Sequence, residues 1–457
     1  MRQIIKNGTI VTGSGSFSAD ILIDGEKIAA TGTAEEIRKL AQPGDKEMDA
    51  SGCLIFPGFI DAHTHFDLHV AGTVTADDFT TGTKAALRGG TTTIIDFGTQ
   101  YPGETLAEGL KNWHEKADGK CSCDYSFHMS ITDWNPSVSK EVQDMMDEGI
   151  TSFKLYMTYD TQVDDKTLFE ILQRLKETGG ITGVHCENSG MIAALQEEAK
   201  AAGKMGVSSH PKAAAEAEAI GRLLRLAEVA DVPVVVVHLT CKEGYDVIAQ
   251  ARKRGQKVYV ETCPQYLLMD DSLYELPGFE SAKYVCAPPL RKKEDQDCLW
   301  KGLADGTIQT ISTDHCSFTT EQKKLGEGDF TKIPGGMPGA ETRGTLIYTY
   351  GVDQGRITKE DMCRVLSENP AKLYGLYPRK GVIAPGSDAD LVIMRTGVED
   401  VITAKDQVQN VDYAPFEGTK VTGRVESVFL RGLQAVKDGK VVEEKKGEFL
   451  KRGKYAL

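Results

Sequence analysis

The sequence predicts an α/β fold, a (β/α)8 TIM-like barrel carrying a small β-domain built from both chain ends. Three observations predict it. Between Leu54 and Thr313, eight apolar, β-branched runs alternate with helical patterns, which is the rhythm of a parallel sheet, and eight strands close such a barrel. Short strands broken by turn residues occupy the first fifty positions and return after Pro378. The length of 457 residues, at ~150 per domain, suits one large barrel with an appendage. The domains are therefore expected at 1–52 together with 378–457, and at 53–377.

In chain order, Gln3 to Ile10, Ala19 to Ile23 and Lys27 to Ala30 read as strands of a small all-β unit. Asn7-Gly8 and Asp24-Gly25 carry the residue types of hairpin turns. Gly13-Ser14-Gly15 falls between predicted strands, so it reads as a turn rather than a phosphate loop. The eight barrel runs are Leu54 to Ile60, Thr92 to Phe97, Tyr125 to Thr132, Ser152 to Met157, Ile181 to Cys186, Pro233 to Leu239, Lys257 to Glu261 and Gln309 to Thr313. Leu168, Phe169, Ile171, Leu172 and Leu175 recur at helical spacing, as do Ile220, Leu223, Leu224 and Ala227; such stripes pack against the sheet. Asp390 to Met394 and Val425 to Arg431, with the turn Asp438-Gly439-Lys440, restore the β texture at the other end.

Composition narrows the class. Forty per cent hydrophobic and 26% charged residues exclude a disordered or fibrous chain. The net charge of −14 repels polyphosphates and anionic lipid, so neither nucleic acid nor a membrane surface is an expected partner; the basic cluster at the C-terminus is the exception. No run approaches the ~20 apolar residues of a membrane helix. Ten scattered cysteines and no leader-like segment behind Met1 indicate reduced thiols in a cytoplasm.

Barrels place reactive groups at the C-terminal ends of their strands. There the sequence sets His63-Thr64-His65, Lys154, His185, His238 and Asp314. Residues two apart on an extended chain share a face, so His63 and His65 can grip one metal. A lone histidine in an apolar strand is usually a satisfied core residue. Four at strand ends are harder to dismiss, since His69, His114, His128, His210 and His315 scatter as background should. Lys154 lies in an apolar run where an uncompensated ammonium is costly. It can be neutral, snorkel to solvent, or add carbon dioxide to become a carbamate. Taken alone, snorkelling is the stronger reading; beside two divalent ions, charge counting favours the carbamate, because with Asp314 and a bridging hydroxide the sum is about +1. Imidazole and oxygen ligands suit zinc first, with manganese, iron and cobalt compatible. The cysteines form no paired CxxC motif, and a nucleophilic-cysteine enzyme is the weaker hypothesis.

Pro57-Gly58-Phe59-Ile60-Asp61-Ala62-His63-Thr64-His65, Phe153 to Tyr159, Glu261 to Leu267, Pro288-Pro289-Leu290-Arg291, Asp314-His315-Cys316 and Gly381 to Leu391 together resemble the amidohydrolase superfamily, and within it the dihydropyrimidinase and hydantoinase group of cyclic amidohydrolases. The resemblance runs over essentially the whole chain, and it makes the small domain a β-sandwich. It implies that His63 and His65 hold one metal with Asp314, that His185 and His238 hold the other, and that carboxylated Lys154 bridges them. It implies that a metal-bridged hydroxide opens a ring amide of a small cyclic substrate to an N-carbamoyl amino acid. In that scheme Asp314 moves the proton and Tyr159 stabilises the oxyanion. Ala287 and Gly335 stand where the family usually has serine and asparagine that hold the ring largely through backbone groups. The loop from Phe66 to Val70 and the Tyr156 side chain match the region around the ring's substituent. A homotetramer is implied as well, with Gly447 to Leu457 reaching a neighbour. Dihydroorotases usually follow HxH with arginine, whereas Phe66 and Asp67 follow here. Allantoinase is the nearer alternative, and a non-catalytic dihydropyrimidinase-like scaffold is opposed by the complete ligand set.

Overall fold

The computed structural model of the chain describes residues 2–204, 206 and 213–457, so His210 lies outside the described residues. Seven strands fall in the first 57 residues: β1 (Arg2–Lys6), β2 (Thr9–Thr12), β3 (Gly15–Ser18), β4 (Asp20–Asp24), β5 (Lys27–Gly32), β6 (Lys46–Asp49) and β7 (Cys53–Pro57). They divide between two sheets. One is four-stranded, in the order β5-β4-β1-β6. In the other, β3, β2 and β7 continue into β18 (Leu391–Val401), β19 (Lys420–Leu430), β20 (Leu433–Lys437) and β21 (Lys440–Val441) from the far end of the chain.

Two strand expectations need correction here. The run from Gln3 to Ile10 is not one strand, and Asn7-Gly8 is not a hairpin: β1 pairs with β4 and β6, whereas β2 pairs with β3 and β7. Asn7 turns the chain from one sheet to the other with φ 64°, donating its N–H to Asp20 Oδ1 at 3.0 Å and its side-chain amide to Asp49 Oδ1 at 2.9 Å. Asparagine tolerates this left-handed geometry better than most residues. Asp24-Gly25 does turn a hairpin, between β4 and β5. The unit is also not all β, because Ala34–Leu40 is helical, entered through a capping box between Thr33 and Glu36.

The second split is at Pro57-Gly58. The apolar run from Leu54 to Ile60 feeds two sheets: β7 pairs with β18, while β8 (Phe59–Thr64) opens the barrel. A small hairpin follows, β9 (His69–Val70) and β10 (Thr73–Val74). The remaining barrel strands are β11 (Thr91–Thr99), β12 (Asp124–Ser130), β13 (Ser152–Tyr156), β14 (Ile181–His185), β15 (Val234–Val236), β16 (Val258–Thr262) and β17 (Thr310–Ile311). Adjacent strands pair in parallel from β8 to β17. Closure between β17 and β8 is made by the Thr313 N–H and hydroxyl on the Asp61 carboxylate, at 3.0 and 2.7 Å, and by the His65 N–H on the His315 carbonyl at 2.8 Å.

The helical stripes of Asp165–Thr178 and Ala213–Ala230 bury Leu168, Ile171, Leu172, Leu175, Ile220, Leu223, Leu224 and Ala227 in the main core cluster. No helix among the described residues is long and apolar enough to cross a membrane.

The C-terminal tail is stitched to its own barrel: Leu450 N–H donates to Tyr125 O at 2.7 Å, Arg452 N–H to Gly149 O at 3.0 Å, and Tyr125 N–H to Glu448 O at 3.0 Å. Arg452 is buried, with its guanidinium donating to Ser126 Oγ and Ser152 Oγ at 2.8 Å and to Tyr374 O. The basic cluster is thus partly interior, since these oxygens replace the water the guanidinium gives up.

Candidate active site

The fold gathers all six residues of the proposed metal set at one end of the barrel. His63 is the next-to-last residue of β8 and His65 lies just beyond it; Lys154 is on β13, His185 ends β14, His238 follows β15 and Asp314 follows β17. Asp314 Oδ1 is 3.2 Å from His63 Nε2 and 3.1 Å from His65 Nε2. These three side chains place a ligand atom each within 4.8 Å of one another. Lys154 Nζ is 3.5 Å from His63 Nε2. The His238 ring centre is 5.4 Å from that of His63 and 4.5 Å from that of His185, so the second histidine pair adjoins the first.

The donor chemistry fits a cation. Glu261 Oε1 lies 2.6 Å from His63 Nδ1, so a neutral His63 would carry its proton on Nδ1 and leave Nε2 as the atom able to ligate. Nε2 faces an Asp314 oxygen 3.2 Å away, and Asp314 with Glu261 holds His63 above the usual imidazole value against the effect of burial. Two acceptors at this distance repel unless a proton or a metal ion lies between them. His185 is oriented in the same manner, with Nε2 2.8 Å from Glu187 Oε2 and 3.3 Å from Tyr159 Oη, which leaves Nδ1 as its ligand atom.

Burial sets the charges. It pushes His65 down to about 4 and His238 well below the usual imidazole value, so both are neutral and able to ligate at neutral pH. It pushes Lys154 down to about 8, against the pull of Asp314 and Glu261, so part of the population is free amine near neutrality. Burial raises the Asp314 carboxyl, but His63 and His65 overcome it and hold Asp314 well below the carboxylate range.

Three site residues occupy the left-handed region: His238 (φ 39°), Asp314 (φ 52°) and Tyr159 (φ 70°). Each such placement of a non-glycine residue costs about 1–2 kcal/mol, and strain of this kind concentrates at functional sites. Periodicity carries no trace of it. Glu261 and Glu187 were also not assigned a role from the sequence. Glu261 stands at the end of β16 within a motif singled out for its resemblance, and Glu187 lies two residues beyond His185, so a buried carboxylate beside a ligand was the available signal.

The remaining expected residues separate. Tyr159 sits at the mouth, its ring 4.9 Å from that of His185. Tyr156 adjoins it, with ring centres 6.1 Å apart. Ala287 and Gly335 are neighbours, since a Cβ on Gly335 would lie 3.7 Å from the Ala287 Cβ. Phe66 is a correction. It is fully buried, its ring edge-on to Phe79 and His315, which removes it from the side chains a substrate can touch. His69 and Val70 are exposed on the β9–β10 hairpin. His315 supports the Asp314 loop: Nδ1 accepts from the Gly339 and Ala340 N–H groups, and Nε2 is 3.0 Å from Asp77. The thiols oppose nucleophilic chemistry, because burial raises Cys186, Cys263 and Cys316 far above the range in which a thiolate forms.

Comparison with known proteins agrees with this geometry. The amidohydrolase family profile matches residues 54–442. D-hydantoinase of Geobacillus stearothermophilus is 46% identical, over 100% of this chain and 97% of its own length; that of Streptomyces coelicolor is 44% identical, over 95% and 94%. The crystal structure of dihydropyrimidinase from Brevibacillus agri NCHU1002 superposes with a TM-score of 0.97 at 44% identity, with 100% of each chain covered. A metal-ligand geometry at barrel strand ends and whole-length similarity of this order place the chain in the amidohydrolase family, a metal-dependent family, and within it among the hydantoinases and dihydropyrimidinases.

Proposed function

We propose that this chain is a cyclic amidohydrolase that hydrolyses the ring amide of a hydantoin, a dihydropyrimidine or a related cyclic ureide or imide, giving an N-carbamoyl amino acid from the first two. The observation that carries the reading is the convergence of His63 Nε2 and His65 Nε2 on Asp314 Oδ1, with Lys154 Nζ alongside His63, in a chain so similar to D-hydantoinases. His63, His65 and Asp314 would hold one divalent cation, His185 and His238 a second, with zinc the first choice and manganese, iron or cobalt compatible. Free Lys154 amine adds to carbon dioxide, forming an N–C bond and releasing one proton, and the carbamate oxygens would bridge the pair. Bound cations supply Lewis acidity, which activates water at neutral pH and polarises a carbonyl.

The chain's own groups do the rest. Asp314, ionised in the resting site, takes the proton of the attacking water on its carboxylate and delivers it to the departing ring nitrogen. Tyr159 Oη donates to the carbonyl oxygen as charge develops there. Backbone groups at Ala287 and Gly335 hold the ring's amide edge, and Tyr156 borders its substituent. Tyr159→Phe is expected to keep metal content and fold while lowering kcat by ~10²- to 10³-fold, the loss typical of one oxyanion donor. Near-normal turnover would return Tyr159 to a packing role.

The barrel of residues 53–377 carries every proposed site residue, and residues 1–52 with 378–457 form the companion domain in this reading. Ten unpaired thiols, nine of them buried, support a reducing cytoplasm. A homotetramer rests on the family resemblance, and light scattering of the purified chain tests it.

A turnover panel tests the reaction. Metal-replete protein is assayed on dihydrouracil, hydantoin, 5-phenylhydantoin, allantoin, dihydroorotate and a cyclic imide, following the ring-opened product. Preference for allantoin or dihydroorotate overturns the subgroup, and turnover of no ring overturns the reaction class.

A further inference from the structure

Lys323 is a buried lysine that the chemistry above does not use. It ends the short helix Thr320–Lys323 and is fully enclosed, whereas its neighbour Lys324 is exposed. Its ammonium donates three hydrogen bonds, to Val285 O at 2.8 Å, Pro334 O at 2.7 Å and Gly336 O at 2.8 Å. Three carbonyl acceptors match the three N–H groups of the charged form, whereas a neutral amine has only two to give. No carboxylate lies within ion-pair distance of it among the described residues; the Phe318 ring, 5.5 Å away, is its nearest compensation besides the carbonyls. Burial pushes Lys323 down to about 7. An apolar side chain would fill this space with no charge to desolvate, so the ammonium's presence points to what it does to the three carbonyls.

Those carbonyls belong to two segments far apart in sequence. Val285 leads to Ala287, and Pro334 and Gly336 flank Gly335. The segments touch, with the Gly336 N–H on Val285 O at 3.0 Å. They are also tied to the catalytic loop. A Cβ on Gly336 would lie 2.2 Å from Cys316 O, and Met337 forms a β-bridge with His315, the residue after Asp314. The Tyr266 hydroxyl fixes the near segment further by donating to Pro288 O at 2.8 Å.

We infer that Lys323 is a positioning residue that clamps the Val285–Ala287 and Pro334–Gly336 backbones into a single platform for the ring amide. This rests on the reading that Ala287 and Gly335 hold the substrate. Ala287 and Gly335 offer no polar side chain of their own, so recognition there depends on where the backbone is held, and Lys323 fixes that from beneath both segments.

The test compares Lys323→Met, which keeps side-chain length without donors, and Lys323→Gln, which keeps a two-donor head, with wild type. Metal content, kcat, KM for the best ring of the panel and amide hydrogen exchange are measured on each. The expected result for Lys323→Met is unchanged metal content, KM raised ~10-fold or more, kcat changed by less than ~3-fold, and faster exchange confined to peptides spanning 284–290 and 333–340. Lys323→Gln is expected between Met and wild type, and it carries the test if the Met variant does not fold. KM within ~2-fold of wild type with unaltered exchange in those peptides overturns the inference, as does faster exchange throughout the barrel with loss of metal, which would make Lys323 merely structural. If wild type opens no ring, the proposed function fails, and the exchange pattern alone decides the role of Lys323.

Discussion

Lys154→Ala is expected to reduce bound metal from about two cations per chain to at most one, and turnover by on the order of 10³-fold or more, which is ~4 kcal/mol of transition-state stabilisation. Lys154 is fully buried, and its Nζ faces His63 while lying 4.7 Å from the Phe97 ring and 5.2 Å from that of Tyr156. None of those neighbours supplies an anion to join the two histidine pairs, so removing the side chain removes the proposed bridge between them. The fold should persist, because alanine leaves an enclosed space without stranding a charge. That space also makes the proposal specific: a short carboxylic acid such as acetate or propionate should restore part of the metal and part of the turnover. Metal content by elemental analysis and kcat are measured with and without the acid. Full metal and full turnover in Lys154→Ala would show that the lysine is structural and that no carbamate forms.

How much of this was legible in the sequence depended on whether a residue's partners are local. Barrel strands are covered on both faces, so they read as apolar runs, and Ile181–His185 or Ser152–Tyr156 stands out for that reason. The same apolarity concealed the break at Pro57-Gly58, where one continuous run serves two sheets. The strand-end cluster of His63, His65 and Asp314 was visible because barrels place reactive groups at strand ends. Their supports were not. Glu261 meets His63 across 198 positions of sequence, and nothing around Lys323 in Gln322-Lys323-Lys324 distinguishes the buried lysine from the exposed one. The tail misled by composition, since five basic residues suggest a surface, yet Arg452 finds enough oxygen ligands in the barrel floor to be interior. The positive φ angles at His238 and Asp314 arise from how the chain leaves a short strand, which no pattern of polarity records.

Lys380→Met is expected to destabilise the fold by about 3–5 kcal/mol out of the ~5–15 kcal/mol typical of a folded domain. The Lys380 ammonium is buried and contacts three carboxylates, Asp124 and Asp390 at 2.6 Å and Asp388 at 3.0 Å. Asp124 begins barrel strand β12, and Asp388 and Asp390 lead into β18 of the seven-stranded sheet, so one cation ties the barrel sheet to that sheet. Arg431 also contacts Asp124, and Arg379 and Lys27 reach Asp388 at 2.9 and 2.5 Å, but the last two are about half exposed and cannot replace the charge inside. Methionine would fill the volume and leave the buried acids short of one positive charge. The pH dependence follows from Asp388. Burial raises its carboxyl, yet Lys380, Lys27 and Arg379 together hold it below the ordinary value. A carboxylate with a depressed folded pKa contributes stability above its unfolded value of ~4 and loses it as pH falls through the folded one. In the variant Asp388 should instead titrate upward, so acid relieves its repulsion from the neighbouring acids. The stability gap between wild type and Lys380→Met should therefore be widest near pH 7 and narrow toward pH 4, as read from urea midpoints at the two values. Equal midpoints at pH 7 would show that the three acids are satisfied without Lys380. At temperatures where both proteins are folded, kcat should be unchanged, because the network lies away from the groups that meet the substrate.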